Sequence, residues 1–586
     1  MKKALLSAAL LLVAVAAFAI PAKRGGFRYV QPDGTEIMLE KHGDEFFHWT
    51  TDMSGNVMVK DAGGFYRVGS LDMESMEIGR NMRRVMRERT QRVADPTMTH
   101  GERHIPVILV EFTDVKFSIS DPKTQFYNLL NKTGYSANGG TGSVRDYYND
   151  NSGGEFTPVF DVFGPVTLPH DMKYYGSGKN EPSAYLAVLD GAKLLDSEID
   201  FSRYDYNSDG AVDMIMMYYA GYNEAEGGPE DSIWPHQYYA DYSQQVRLDK
   251  KLISRYFCTS ELKGNSGSNM CGIGTTCHEF AHTLGLPDFY DTDYEDESGR
   301  QAHGLCYFSL MSMGSYINDG RTPPYLNAEE RILLGWMNEE ELKELPPGKI
   351  SFGSVKNNVA YKTLTPNEGE YFVYECRDLT GWDSYVSSGL LVYHVDKSKS
   401  FNVGGYTPYY LWTNWARINK INAFADHPCF YIVPSVDQEN TCHWPDAYTG
   451  TMNEYPFPGK KRITSYQPVD WNGRDNGVQL SGIAYSGGKV SVSVVNPTYT
   501  GPIVESVSDL GFACISIDSN PKAGSTITPK LLPAKDDAPS KVIWYYDGVP
   551  QQGSAVVLQA GKHVLKAGLQ YPDGRKESVS IVVNAL

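Results

Sequence analysis

The sequence predicts a multidomain α+β protein: a mixed α/β domain in the first half, a β-rich module after it, and a C-terminal immunoglobulin-like β-sandwich. Three observations predict it. The chain has 586 residues, room for about three to five domains at roughly 100–200 residues each. As far as about residue 284, strand-like apolar runs alternate with helical periods, the order that builds a sheet with crossover helices. Beyond Trp336 only short strands and turns recur. Hydrophobic residues at 41% and charged residues at 21% suit domains that bury real cores. The formal net charge of −18 opposes general nucleic-acid binding and attachment to anionic membranes, which need positive fields.

The elements follow in chain order. Lys2 and Lys3 precede an apolar run over residues 4–18, with small residues at Ala17 and Ala19. This is the pattern of a secretory signal peptide over residues 1–19, cleaved after Ala19. The run is too short for a stable membrane span, so the protein is expected to be secreted, with disulfides open to its eight cysteines. Residues 20–95 form an N-terminal unit, with strands at 35–38 and 64–68 and turns at Pro32-Asp33-Gly34 and Ser54-Gly55-Asn56. Its end is basic: Arg80, Arg83, Arg84, Arg87, Arg89 and Arg92. We read this as an exposed linker open to trypsin-like cleavage.

Residues 96–345 are the mixed α/β domain. Continuous apolar runs at 105–112 and 214–220 read as strands buried on both faces. Residues 142–149 and 182–196 read as helices, and 156–166 as one or two strands. Residues 346–498 are the β-rich module, with strands at 371–376, 389–395, 429–433, 478–480 and 490–495. Residues 499–586 carry strands at 541–546, 555–558, 563–569 and 578–583, with turns at Asp547-Gly548 and Asp573-Gly574, a spacing that fits a small sandwich.

The chemistry lies in residues 275–288, TTCHEFAHTLGLPD. His278 and His282 are four apart, so one helix face presents both imidazoles to a single Zn²⁺. Glu279 sits beside the metal rather than on it, where a general base for an activated water belongs. Gly285 ends the helix and Pro287 prevents its resumption, so the chain turns back and can deliver Asp288 as a third ligand. Three protein ligands leave a catalytic position open, whereas structural zinc sites close with four. With 13 His and 71 acidic residues, the full pattern is expected by chance about 5 × 10⁻⁴ times per chain, so a helix with two merely packed histidines is set aside. A second motif, Asp205, Asn207, Asp209, Gly210 and Asp213, spaces oxygen ligands as a Ca²⁺ loop does. Its twelfth position is Met216 rather than Glu. The acidic run Asp291, Asp293, Glu295, Asp296 and Glu297 reads as a solvated loop. Cys277 lacks a base and orienter of its own and reads as packed or bridged. His236 and His394 read as structural.

The pattern H-E-x-x-H-x-x-G-x-x-D resembles the metzincin signature, whose bearers have a methionine turn downstream. Here Ser309-Leu310-Met311-Ser312-Met313-Gly314 follows. The resemblance implies Met311, or Met313 as alternate, as the floor under the imidazoles, and puts Tyr316 where some metzincins keep an oxyanion-stabilising tyrosine. HEFAHTLGLPDFYD, GSVRDYY at 142–148, SIWPH at 232–236, GWDSY at 381–385 and GLLVYHVD at 389–396 resemble the immune inhibitor A family of secreted bacterial metallopeptidases. QPDGTE and HGDEFFHW resemble its pre-segment. That family implies a zinc endopeptidase acting on proteins or peptides, made as a zymogen, often calcium-stabilised, with Asp as third ligand. No cysteine precedes Cys258, so a thiol of the N-terminal unit cannot plug the metal. Asp44 or Glu45 is the candidate carboxylate plug, with steric covering of the cleft as the preferred alternative. The competing function is a secreted binding or adhesion protein on an inactive peptidase scaffold; an intact Glu279 argues against it.

Overall fold

A computed structural model describes residues 18–77, 94–176, 184–240, 246–292, 304–398, 419–423, 427–435, 455–499, 514–517, 522–532, 539–572 and 576–585. Most of the expected signal peptide, the whole run from Arg80 to Arg92, and Asp293, Glu295, Asp296 and Glu297 lie outside them.

The first half of the chain is built on one six-stranded sheet. Its order is Phe18–Ala19, His236–Tyr239, Arg255–Leu262, Ile215–Tyr222, Gly101–Glu111 and Phe156–Thr167. The last four run parallel to one another, and the first two pairings are antiparallel. Gly101–Glu111 and Ile215–Tyr222 are neighbouring interior strands, as continuous apolar runs must be when helices cover both faces. The sheet buries Val107, Leu109 and Met216 on one side and Ile108, Val110 and Met217 on the other. Helices Pro122–Asn131, Val144–Asn151 and Gly274–Leu284 share the first core, and Ala184–Leu194 covers the second.

The sequence of strand Arg255–Leu262, RYFCTSEL, looks too polar for a buried strand. It is buried because Glu261 is fully used: its carboxylate accepts from Ser118 N–H and Oγ–H, Ile119 N–H and Gly221 N–H at 2.7–2.9 Å. A buried carboxylate satisfied in this way carries little of the usual penalty.

The N-terminal unit is a five-stranded antiparallel meander, from Phe27–Val30 to Tyr66–Val68. Beyond residue 345 two sheets stack, one centred on Glu370–Arg377 and Gly389–Asp396, the other on Gln479–Ser486 and Lys489–Val495. The first core continues into this region, from Phe126, Phe156 and Phe280 to Tyr393, Val395 and Phe430. Buried Arg377 pairs with Glu375 at 3.0 Å and Asp383 at 3.1 Å beside that junction. The last described residues form an antiparallel sheet, including Lys541–Tyr546, Gly561–Gln570 and Lys576–Ala585, around a core of its own with Leu565, Ala567 and Leu569.

Candidate metal centre and cleft

The site is assembled on helix Gly274–Leu284. The helix starts against the turn that follows it in sequence: a Cβ on Gly274 would lie 1.8 Å from Ser315 O, so only glycine permits the approach. It ends at Gly285, φ 117°, whose N–H donates to Ala281 O and His282 O. Leu286 N–H also returns to Ala281 O, at 3.1 Å. The chain reverses there and brings Asp288 back over the helix.

His278, His282 and Asp288 come together, with one ligand atom of each within 4.8 Å of the others. All three are buried. His278 Nδ1 meets Leu310 O and His282 Nδ1 meets Leu286 O, both at 2.8 Å. A carbonyl only accepts, so each Nδ1 carries a proton and Nε2 is the ring atom left to face a metal. Those two Nε2 atoms lie 3.1 Å apart and 3.2 and 3.3 Å from Asp288 Oδ1. Asp288 Oδ1 has no hydrogen-bond donor. The three atoms converge on one point, the arrangement that would hold a cation. The donor set of two imidazoles and a carboxylate therefore fits Zn²⁺.

The surrounding shell is formed by residues that spacing did not reveal. Asn419 accepts from Asp288 N–H at 2.7 Å through Oδ1, and its Nδ2 donates to Asp288 Oδ2. It lies 131 positions downstream, and a lone Asn in a polar stretch carries no signal. Leu310 O and Leu286 O fix the imidazole tautomers from the backbone. Met311 is fully buried in the core that also holds Cys277, Phe280 and Ala281. Its N–H donates to Ser309 Oγ at 3.0 Å, and Ser309 donates to buried Glu330 at 2.5 Å. Burial pushes the Glu330 carboxyl up to about 7, against the opposing bond from Ser309.

Glu279 is fully buried, and its Oε1 accepts from Ile20 N–H at 2.8 Å. The segment around Ile20 lies against Glu279 and the neighbouring strand. Phe18–Ala19 pairs antiparallel with the edge strand at His236 and Gln237. Trp234 Nε1 donates to Ile20 O at 2.9 Å, and Tyr316 hydroxyl donates to Pro21 O at 2.7 Å. Neither Asp44 nor Glu45 joins the metal group. Asp44 caps its own turn, accepting from Phe46 and Phe47 N–H. The backbone of residues 20–21, rather than either carboxylate, lies against Glu279, Trp234 and Tyr316.

The loop at Asp205, Asn207, Asp209 and Asp213 is arranged differently. Asp205 accepts from Asp209 N–H, Gly210 N–H and, at 2.5 Å, Lys251 Nζ. Asn207 accepts from Asp209 N–H, Asp209 from Ala211 N–H and Asp213 from Tyr206 N–H. Among the described residues this set does not form a metal group; the His278 group is the one that does. His236 bonds Trp234 O and Tyr256 hydroxyl, and burial pushes its pKa down to about 4. His394 bonds Glu370 and Tyr431. Both are packed, structural histidines. Cys258, Cys271, Cys277, Cys306, Cys376 and Cys429 are buried free thiols.

Residues 100–331 match the family described as immune inhibitor A peptidase M6, catalytic domain. The pre-pro-metalloprotease PrtV of Vibrio cholerae serotype O1 is 26% identical over 331 residues, covering 46% of this chain and 34% of that protein. Immune inhibitor A of Bacillus thuringiensis subsp. alesti is 26% identical over 273 residues, 38% of each. The chain thus spans little more than a third of the length of these relatives. The crystal structure of wild-type OgpA from Akkermansia muciniphila aligns at a TM-score of 0.21 and 9% identity, over 85% of this chain and 95% of that one, too low to inform the fold. No described helix is long and apolar enough to cross a membrane. The site helix, the turn bearing Asp288 and the sheet strands from Gly101 to Leu262 all fall within residues 100–331, the segment similar to the immune inhibitor A peptidase M6 catalytic domain.

Proposed function

We propose that the protein is a secreted, zinc-dependent endopeptidase held latent by its N-terminal unit. One observation carries the reading: a fully buried Glu279 stands beside three converging ligand atoms and touches the nitrogen of a peptide unit lying in the cleft. His278, His282 and Asp288 would hold the zinc, with Met311 packed beneath them. Bound zinc supplies Lewis acidity, which acidifies a water and polarises a carbonyl. Glu279 would take a proton from the attacking water and deliver it to the departing amine. Its contact with Ile20 N–H has the right partner for the second task, because a leaving amine presents the same atom.

The latency reading is supported by what occupies the groove. Ile20 and Ala22 are buried against Ala225 and Trp234. Buried Lys41 bonds Glu224 at 2.9 Å, and His48 bonds it at 2.8 Å, tying the N-terminal sheet to the cleft wall. The unit covers the site sterically, and cleavage between Arg80 and Arg92 would release it. Signal-peptide removal after Ala19 would leave Ile20 as the terminal amine beside Glu279. We further assign residues 1–19 as signal peptide, 20–95 as pro-segment, 96–345 as catalytic domain, 346–498 as β-rich module and 499–586 as immunoglobulin-like.

The test is casein hydrolysis by the full chain before and after limited trypsin treatment, with and without a zinc chelator. Activity that rises on nicking and disappears with chelator supports both parts. Equal activity before and after would make the N-terminal unit a permanent domain. Chelator-insensitive activity, or none in any form, would overturn the peptidase reading.

A further inference from the structure

Residues 20–23 lie in the cleft as an extended peptide, and their contacts map what the cleft can recognise. Phe18–Ala19 runs along the edge strand, and the next nitrogen, of Ile20, reaches Glu279. The Ile20 nitrogen therefore stands where the leaving nitrogen of a bond to be cut would stand. Lys23, three residues on, is held twice. Its N–H donates to Ala225 O at 2.9 Å, and its Nζ meets Glu226 Oε2 at 3.1 Å.

Glu226 is built into the wall. It ends the short helical turn Glu224–Glu226, with its own N–H donating to Asn223 Oδ1 and Gly227 closing the turn at φ 85°. Its carboxylate also accepts from Gly264 N–H at 3.2 Å. The side chain is only 10% exposed, so it meets its cation in a partly desolvated setting. Neighbouring Glu224, paired with Lys41 and His48 of the N-terminal unit, would face the same groove once that unit left. Trp234 and Tyr316 hold backbone carbonyls of the segment, contacts that any sequence can make, whereas the Glu226 contact selects a side chain.

We propose that Glu226 is a specificity determinant: a carboxylate subsite that takes a Lys or Arg side chain three residues after the residue whose nitrogen leaves. The proposal rests on the peptidase reading and names a substrate class for it, peptides with a basic residue at that position.

The test uses the zinc-loaded full chain, activated by nicking, on peptide pairs that differ only in Lys, Gln or Glu at that position. The parent protein should favour Lys over Gln by about fivefold in kcat/KM, the scale of a partly exposed ion pair. Glu226→Gln should erase the preference, and Glu226→Lys should turn it toward Glu. Cleavage with no preference, or a preference that survives Glu226→Gln, overturns the subsite while leaving the peptidase reading intact. Should no variant cleave anything, the peptidase reading fails, and hydrogen exchange on the uncleaved chain decides the contact separately. Lys23→Glu and Glu226→Lys should each speed exchange at the amides of Ile20, Ala22 and Lys23, and the combined swap should restore protection. Exchange unaffected by either substitution removes the basis for the subsite.

Discussion

The turn that delivers Asp288 and the loop from Asp205 to Asp213 both place carboxylates at metal-ligand spacing within one domain. They differ in what those oxygens do. In the loop, Asp205, Asp209 and Asp213 each accept from backbone N–H groups of the same loop, and Lys251 supplies a positive charge to Asp205. At the helix, carbonyls accept from both Nδ1 atoms, so the two Nε2 atoms and Asp288 Oδ1 are turned toward one point, 3.1–3.3 Å apart. Spacing brings ligands close. A metal site also needs acceptors left unsatisfied and aimed at one point.

The largest effect expected from this contrast is on catalysis. Glu279→Gln should lower kcat/KM by about 10²–10⁴-fold while zinc stays bound, because Glu279 handles protons and does not ligate. Zinc lost together with activity in that variant would place Glu279 among the ligands instead. Next comes the outer shell. Asn419→Ala strips Asp288 of its orienting partner and should weaken zinc about 10–100-fold in a chelator-competition titration. An unchanged affinity would show that the turn alone positions Asp288.

The loop offers a smaller and more pointed contrast. If Lys251 stands where an ion would, Lys251→Met should enlarge the rise in melting temperature caused by millimolar calcium, since a ligand that binds only the folded state stabilises it by mass action. Identical calcium responses in parent and variant would exclude the loop as a cation site. The smallest effect is on pH dependence. Glu330 accepts from Ser309, which in turn accepts from Met311 N–H, and burial raises the folded-state pKa of Glu330 to about 7. An acid raised in this way contributes stability below its unfolded pKa and loses it as pH rises through the folded value. Glu330→Gln should therefore flatten the fall in melting temperature from about pH 5 to about pH 8. A fall of unchanged size would assign that pH dependence to other groups.

Much of this was legible in the sequence for physical reasons. The runs at 105–112 and 214–220 could only be strands buried on both faces, and His-Glu-x-x-His with Gly285 and Pro287 encodes a helix, its stop and a return. Strand Arg255–Leu262 was hidden because Glu261 is satisfied by partners over 140 residues away at Ser118 and Ile119, and 40 away at Gly221. Asn419 was hidden for the same reason: its role exists only once the chain has folded it against Asp288. Of the two latency readings, the less favoured carboxylate plug lacks a contact because Asp44 accepts within its own turn, while the group that reaches Glu279 is a backbone N–H, which no side-chain pattern announces.

The central claim is that His278, His282 and Asp288 form a zinc site and the loop at Asp205 does not. Zinc per chain, measured by elemental mass spectrometry after exhaustive dialysis, tests it most directly in the parent, Asp288→Ala and Asp205→Ala proteins. The account predicts about one zinc in the parent and in Asp205→Ala, and close to none in Asp288→Ala. Zinc retained in Asp288→Ala and lost in Asp205→Ala would contradict it.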